Sequence, residues 1–338
     1  MNRRSWDIIG RRRYGYLFSL LIILPGLIGL FMNASAGRGA LDWGIDFTGG
    51  NFFQLQLEQE FTVGQVRPIV DRFATGQSII QKSGQEVLIR TRPLETGKKS
   101  ALINALQERF GKITVLREDA VGPKIGRELR NIAIIGVVLG LVLQVIYIAV
   151  RFKSIRFAIA ADVALLHDLL VVVGVFALTR KEVNSAFVAV LLTVVGYSIN
   201  DTIVLFDRIR ENLAQRTREP FDRLVNRSIL EALVRSINTA LTTILAIGAV
   251  YLFGGSTIRD FAFGLMIGIF TGGYSSILNA SPILVDWHLW SERREKKAVP
   301  EPARPAATMP EPAAAGGPPS QLVRGGSRPR RRRNRRKS

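Results

Sequence analysis

Apolar positions in this chain are gathered into long runs separated by short polar stretches, with one exception where about ninety residues of mixed pattern intervene. Six runs have the length of a membrane-crossing helix: Tyr14 to Asn33, Ile132 to Val150, Phe157 to Leu178, Ala186 to Phe206, Asn238 to Phe253 and Phe261 to Leu284. At about 1.5 Å per residue, some 20 residues cross a hydrocarbon layer ~30 Å thick. The first run follows Arg3, Arg4, Arg11, Arg12 and Arg13, as a secretory leader would. It exceeds the ~7 to 15 residues of a leader's apolar core, however, and is read as a retained span.

The exception lies between the first and second runs. There Phe53, Leu55 and Leu57 alternate with Phe52, Gln54 and Gln56, which predicts a strand. Val63 to Phe73 has helical spacing behind a Thr62 cap, although Pro68 lies inside it. Ser78 to Gln81 and Val87 to Arg92 predict two strands about a Ser83-Gly84 turn, Ser100 to Phe110 a helix stopped by Gly111, and Ile113 to Leu116 a last strand. The order β-α-β-β-α-β is that of a ferredoxin-like sandwich. The expected architecture is therefore a six-helix membrane bundle with an α+β domain inserted between its first two helices. Four segments follow: 1–36 with the first span, 37–129 as the inserted domain, 130–290 with spans two to six, and 291–338 as a tail.

Charge orients this arrangement. The chain has 338 residues, a formal net charge of +19 and no cysteine. Its mean hydropathy is nevertheless positive, at +0.19. The basic residues concentrate at the N-terminus, in the loop Arg151, Lys153, Arg156, and between the fourth and fifth runs at Arg208, Arg210, Arg216, Arg218, Arg223, Arg227 and Arg235. Cytoplasmic loops carry such an excess, so both termini are expected inside and the inserted domain outside. The tail, with Pro300 to Pro319 followed by the almost wholly basic Arg328 to Lys337, lacks the apolar area to fold. It reads either as a solvated segment that fixes topology or as an attachment to anionic lipids or ribosomal RNA.

Polar groups inside the spans are costly and mark function. Asn200 and Asp201 lie in the fourth span, about 8 Å from its cytoplasmic end. Thr193, Gly196, Asn200 and Ile203 share one helical stripe, and Tyr197, Asp201 and Val204 the next, so this polar face is expected to turn toward other helices. Burial disfavours the charge of Asp201 and a neighbouring cation favours it, two opposed influences that suit a reversible proton carrier. Candidate neighbours are His167 and Asp168 at mid-span, Asp162 nearer the cytoplasm, and Arg235 at the mouth of the fifth span. The His167-Asp168 pair is open to two readings, a local hydrogen bond anchoring helices or part of a proton path. Gly264, Gly268 and Gly272 form a small-xxx-small row for close helix packing, and Asp207 with Arg208 reads as an interfacial pair.

Other chemistries lack their residues. The chain has no P-loop, no H-E-x-x-H helix and no G-x-S-x-G elbow, which argues against ATP hydrolysis, zinc proteolysis and serine hydrolysis. No enzymatic activity, metal or other cofactor is expected. The stretch Gly44 to Gly50, GIDFTGG, lacks a phosphate-binding lysine and reads as a turn into the first strand.

GIDFTGG after the first span, the His167-Asp168 pair, VGYSINDTIVLFDRIREN in the fourth span and RSINTALTT at the start of the fifth resemble the SecF proteins of the SecD/SecF protein-export family. The resemblance covers about residues 14 to 290 and places the chain near the resistance-nodulation-division transporters. It implies a SecDF complex in the bacterial plasma membrane, beside SecYEG and often with YidC and YajC, that draws unfolded exported polypeptide outward on the proton gradient, or on sodium in some lineages. It also implies that Asp201 is the proton-carrying aspartate, that Arg235 is the arginine of the fifth span, and that Gly44, Asp46, Gly49 and Gly50 belong to the family's opening motif. SecD itself typically opens with GLDLRGG and carries a much longer exported region. Efflux of small molecules and a purely structural scaffold remain as competing functions.

Overall fold

A computed structural model describes residues 6–37, 39–74, 78–215 and 218–298. Arg3, Arg4, Arg216 and the tail from residue 299 lie outside the described residues.

Helix α1, Arg12–Ser35, is the first apolar span. The inserted domain follows with β1, Asp42–Trp43, a one-turn helix α2, Ile45–Thr48, and β2, Gly50–Leu57. The expected simple turn at GIDFTGG is thus a helical turn that ends at Gly49 and Gly50, with φ of 73° and 141°. Both values favour glycine. Crowding adds to this: a Cβ on Gly49 would stand 2.7 Å from Pro123 Cα, and one on Gly50 2.3 Å from the Thr91 carbonyl.

Helix α3, Val63–Phe73, opens with a reciprocal capping box between Thr62 and Gln65. Pro68 is tolerated because it and Gly64, whose carbonyl it leaves unbonded, both face solvent in the opening turns. Strands β3, Ile79–Ser83, and β4, Glu86–Thr91, form a hairpin; α4, Thr96–Phe110, and β5, Ile113–Val121, complete the domain. The sheet order is β3-β4-β2-β5 with every pairing antiparallel, and a register shift lies at Gln54/Leu55. Phe53, Leu55 and Leu57 of β2 pack with Val87 and Ile89 of β4 beneath Val66 and Val70 of α3 and Leu102 and Leu106 of α4. Strand β5 runs five residues further than its apolar pattern indicates, because pairing with β2 continues to Gly50↔Val121 and carries the chain to the membrane helices.

Helix α5, Pro123–Phe152, starts with proline in its first turn, where no amide hydrogen is needed. Helix α6, Ile155–Thr179, then β6, Glu182–Val183, α7, Ser185–Ala214, and α8, Phe221–Phe253, follow. The sixth span begins as α9, Ser256–Ser275, passes through a π-helical turn at Ser276–Ala280 and continues as α10, Ser281–Ala298. Among the described residues six helices are long and apolar enough to cross a membrane, matching the six runs of the sequence.

Glycines set the closest approaches in the bundle. Gly26 of α1 lies against Gly174 of α6, where an added Cβ would come within 2.6 Å of the opposing Cα. Gly264, Gly268 and Gly272 of α9 face Val190, Val194 and Ser198 of α7, so the small-residue row is a helix contact. Two apolar layers result. Phe176, Phe187, Val190, Val194, Leu265 and Ile269 form one next to Phe47 of the inserted domain. Phe152, Ala161, Phe206, Ile209, Ile277 and Leu284 belong to the other.

Candidate functional site

Between the two apolar layers lies a polar one. Along α6 it holds His167 and Asp168, along α7 Ser198 and Asp201, along α8 Ser236, and along the sixth span Tyr274, Ser275 and Ser276. The position follows from the sequence of each helix: on α6, α7 and α9 the polar residues separate the segment that enters one apolar layer from the segment that enters the other. Hydroxyl groups satisfy the carboxylates.

Asp168 is fully buried. His167 Nδ1 is 2.9 Å from its Oδ1, while Ser198 and Ser275 donate to Oδ2 at 2.5 and 2.8 Å. His167 is oriented in turn by the Tyr274 hydroxyl, 3.2 Å from Nε2, with the two rings edge to face. Asp201 is half-buried and held on both oxygens: Ser236 donates to Oδ1 at 2.7 Å and Ser276 to Oδ2 at 2.5 Å. Hydroxyls can donate to an ionised carboxylate and accept from a protonated one, so either charge state of each acid has a partner available.

Other expected members stand apart. Arg235 is exposed on α8 and lines an opening with Asp207, Arg208, Glu211 and Glu231; among the described residues it forms no ion pair, so the Asp201–Arg235 pairing is absent. Asn200 is exposed and Asp162 half-buried, and neither has a hydrogen-bond or ion-pair partner among the described residues. The stripe of Thr193, Gly196 and Asn200 faces outward from this chain rather than into its own bundle. Asp207 and Arg208 do not pair with each other: Asp207 binds Arg151 at 2.9 Å, and Arg208 binds Glu231 and Glu211, each at 2.7 Å. Successive residues on a helix point about 100° apart, which sends their side chains to different neighbours.

A second polar cluster joins the inserted domain to the bundle. Strand β1 pairs in parallel with β6, the connection between α6 and α7. Arg90 of β4 reaches both, at 3.2 Å from Asp42 and 2.9 Å from Glu182. Burial raises the Glu182 carboxyl above its ordinary 4.5, and the Arg90 guanidinium offsets this only in part. Asp46 of the GIDFTGG stretch accepts the Ser185 amide at the start of α7, next to Asn184, whose side chain accepts from Phe187. The motif is thus a structural clasp on the helix that carries Asp201.

Sequence reading missed Ser198, Ser236, Tyr274, Ser275, Ser276 and the Arg90 cluster. The run Tyr274-Ser275-Ser276 inside an apolar stretch was the available signal; Arg90 gave none, since a lone arginine in a strand is ordinarily solvated.

The fold and site define a multi-pass membrane protein whose bundle encloses titratable side chains beneath a clasped α+β domain. Residues 101–290 match the family model described as protein export membrane protein SecD/SecF, C-terminal. The chain is 42% identical over 302 residues to the protein translocase subunit SecF of Thermobaculum terrenum, covering 83% of this chain and 93% of that one. With the protein translocase subunit SecF of Sebaldella termitidis the identity is 38% over 280 residues, covering 81% and 89%. The crystal structure of SecDF, a translocon-associated membrane protein from Thermus thermophilus, superimposes with a TM-score of 0.78 at 36% identity, over 85% of this chain and 39% of that one. A crystal structure of SecDF in its super-membrane-facing form gives a TM-score of 0.64 at 34% identity, over 88% and 41%. The chain therefore spans about two fifths of those SecDF chains and nearly all of the SecF relatives. It belongs to the SecD/SecF protein-export family.

Proposed function

We propose that the chain serves as the SecF-type partner of SecD in a SecDF complex, which assists the Sec translocon in moving unfolded polypeptides across the bacterial plasma membrane on the proton gradient. The observation that carries this reading is Asp201: a carboxylate in the polar layer of an apolar bundle, held by two serines and by no cation among the described residues. An acid among membrane helices can drive a change of packing only if its protonated and ionised forms favour different arrangements.

The partner is supported by what the isolated chain leaves uncovered. Thr193 and Asn200 of α7 and Arg235, Asn238, Thr239 and Thr242 of α8 are all exposed, although they lie on membrane-spanning helices. Lipid tails cannot satisfy such a face, and a second polar helix bundle can. SecD fits that need, and on this reading Arg235 meets its counter-charge only within the complex. SecYEG, with YidC and YajC, supplies the further neighbours.

The inserted domain reads as ferredoxin-like, from its strand order and the two helices on one face, and as extracytoplasmic, from the basic loops at the opposite end of the bundle. Its β5 is an edge strand that exposes Val115 and Leu116, which suits sequence-independent contact with an emerging extended chain. Residues 1–36, 37–129, 130–290 and 291–338 form its four functional segments, the last a basic tail for anionic lipid or ribosome.

The test is export into proton-impermeant vesicles containing the SecDF complex, with wild type and Asp201→Asn, under proton and sodium gradients applied separately. Wild type is expected to respond to the proton gradient and Asp201→Asn to lose that response while still assembling with SecD. Retention of a full gradient response by the variant would overturn the assignment.

A further inference from the structure

Three consecutive residues touch the histidine and both acids of the polar layer. The Tyr274 hydroxyl lies 3.2 Å from His167 Nε2, Ser275 donates to Asp168 at 2.8 Å and Ser276 donates to Asp201 at 2.5 Å. The helix changes register at this segment, because Ser276–Ala280 is a π turn. Such single turns are rare and frequently coincide with functional sites. Two more bonds hold this one: Ser281 donates to the Ser276 carbonyl at 3.1 Å, and Ser19 of α1 donates to Asn279 at 2.8 Å. Ser275, Ser276 and Asp168 are fully buried, so bulk water cannot take the place of these hydroxyls.

The groups facing the two acids are few. Asp168 meets His167 of α6, Ser198 of α7 and Ser275, with Tyr274 next to it. Asp201 meets Ser236 of α8 and Ser276, and Tyr197 of α7 lies within electrostatic range. Asp162 of α6 and Arg235 of α8 bond to neither acid, and His167 is the one basic side chain bonded to either among the described residues.

Resting on the proton-carrier reading of Asp201, we propose that Tyr274, Ser275 and Ser276 are positioning residues that make Asp168 and Asp201 titrate as one coupled pair. When Asp201 takes a proton on the oxygen that faces Ser276, Ser276 changes from donor to acceptor. Its backbone neighbour Ser275 is then displaced relative to Asp168, and the π turn supplies the slack for that displacement. The His167-Asp168 pair therefore senses the carrier without touching it. Interacting acids of this kind release their protons in steps that belong to the pair.

The measurement is an infrared titration of the protonated-carboxyl band in the full chain assembled with SecD in lipid, the Asp168 contribution being identified by difference from Asp168→Asn. Replacing Asp201 by Asn is expected to move the Asp168 midpoint by about one pH unit, the scale at which two sites count as coupled. Ser276→Ala, which keeps both acids, is expected to shift the same midpoint and to lower gradient-driven export about tenfold, as loss of a charge-assisted hydrogen bond would. Ser276→Thr should restore both. An Asp168 midpoint that stays fixed in Asp201→Asn and Ser276→Ala overturns the coupling, even if Asp201→Asn abolishes export. Intact export in Asp201→Asn instead removes the carrier reading itself. Should Ser276→Ala not fold, Ser275→Ala read at Asp201 makes the same decision from the other end.

Discussion

The Asp46 carboxylate accepts the backbone amide of Ser185 at 2.9 Å, so a residue of the inserted domain closes the first turn of the helix that carries Asp201. A carboxylate there satisfies an otherwise orphan donor and complements the helix dipole. Asp46→Ala is expected to lower stability by about 1 kcal/mol and Asp46→Asn by less, read as thermal unfolding in mild detergent. Equal melting of Asp46→Ala and wild type would show that the cap adds nothing.

Gly26 and Gly174 bring two membrane helices to backbone contact. Gly26→Ala places a methyl group 2.6 Å from the Gly174 Cα, which forces α1 and α6 apart. A loss of about 1 to 3 kcal/mol is expected. Gly136→Ala on α5, with open space around it, is the control and should be neutral or slightly stabilising.

Glu182 makes the junction between domain and bundle depend on pH. Its folded-state carboxyl lies above its ordinary 4.5, so the folded protein holds this proton more tightly than the unfolded one. The stabilisation is complete below about pH 4.5 and is lost as pH rises through the folded value. Wild type minus Glu182→Gln, compared as denaturant midpoints from pH 4 upward, should show wild type losing ground with rising pH. A constant difference would count against a raised carboxyl.

Replacing Asn238 and Thr242 by leucine removes polar groups that bond nothing outside their own helix among the described residues. Melting of the chain alone should change by no more than about 0.5 kcal/mol. Co-purification with SecD should fall, which the same detergent extract can report. Undiminished co-purification would place the partner elsewhere.

Hydropathy and capping made much of this molecule legible. The six runs became six helices, and the Thr62 cap fixed the start of α3 at Val63, because both signals are local. The site was legible in part. Asp201, His167 and Asp168 stand out as charges in apolar surroundings, but the serines that hold them look like the small residues any helix contact would use. Arg235 looked like a partner for Asp201 because helical stripes give direction without telling whether the facing helix belongs to the same chain. The π turn had no local mark, since its extra residue is stabilised by contacts with α1, α6 and α7.

The parallel pairing of β1 with β6 gives the inserted domain, a platform on the bundle, a third leg beyond the two covalent links through residues 36–41 and 121–123. A load borne on two hinges can swing freely, whereas one on three must follow the floor beneath it. If α7 slid by one turn, about 5.4 Å, the platform would have to tip or tear the Asp42–Trp43 ladder from Glu182–Val183.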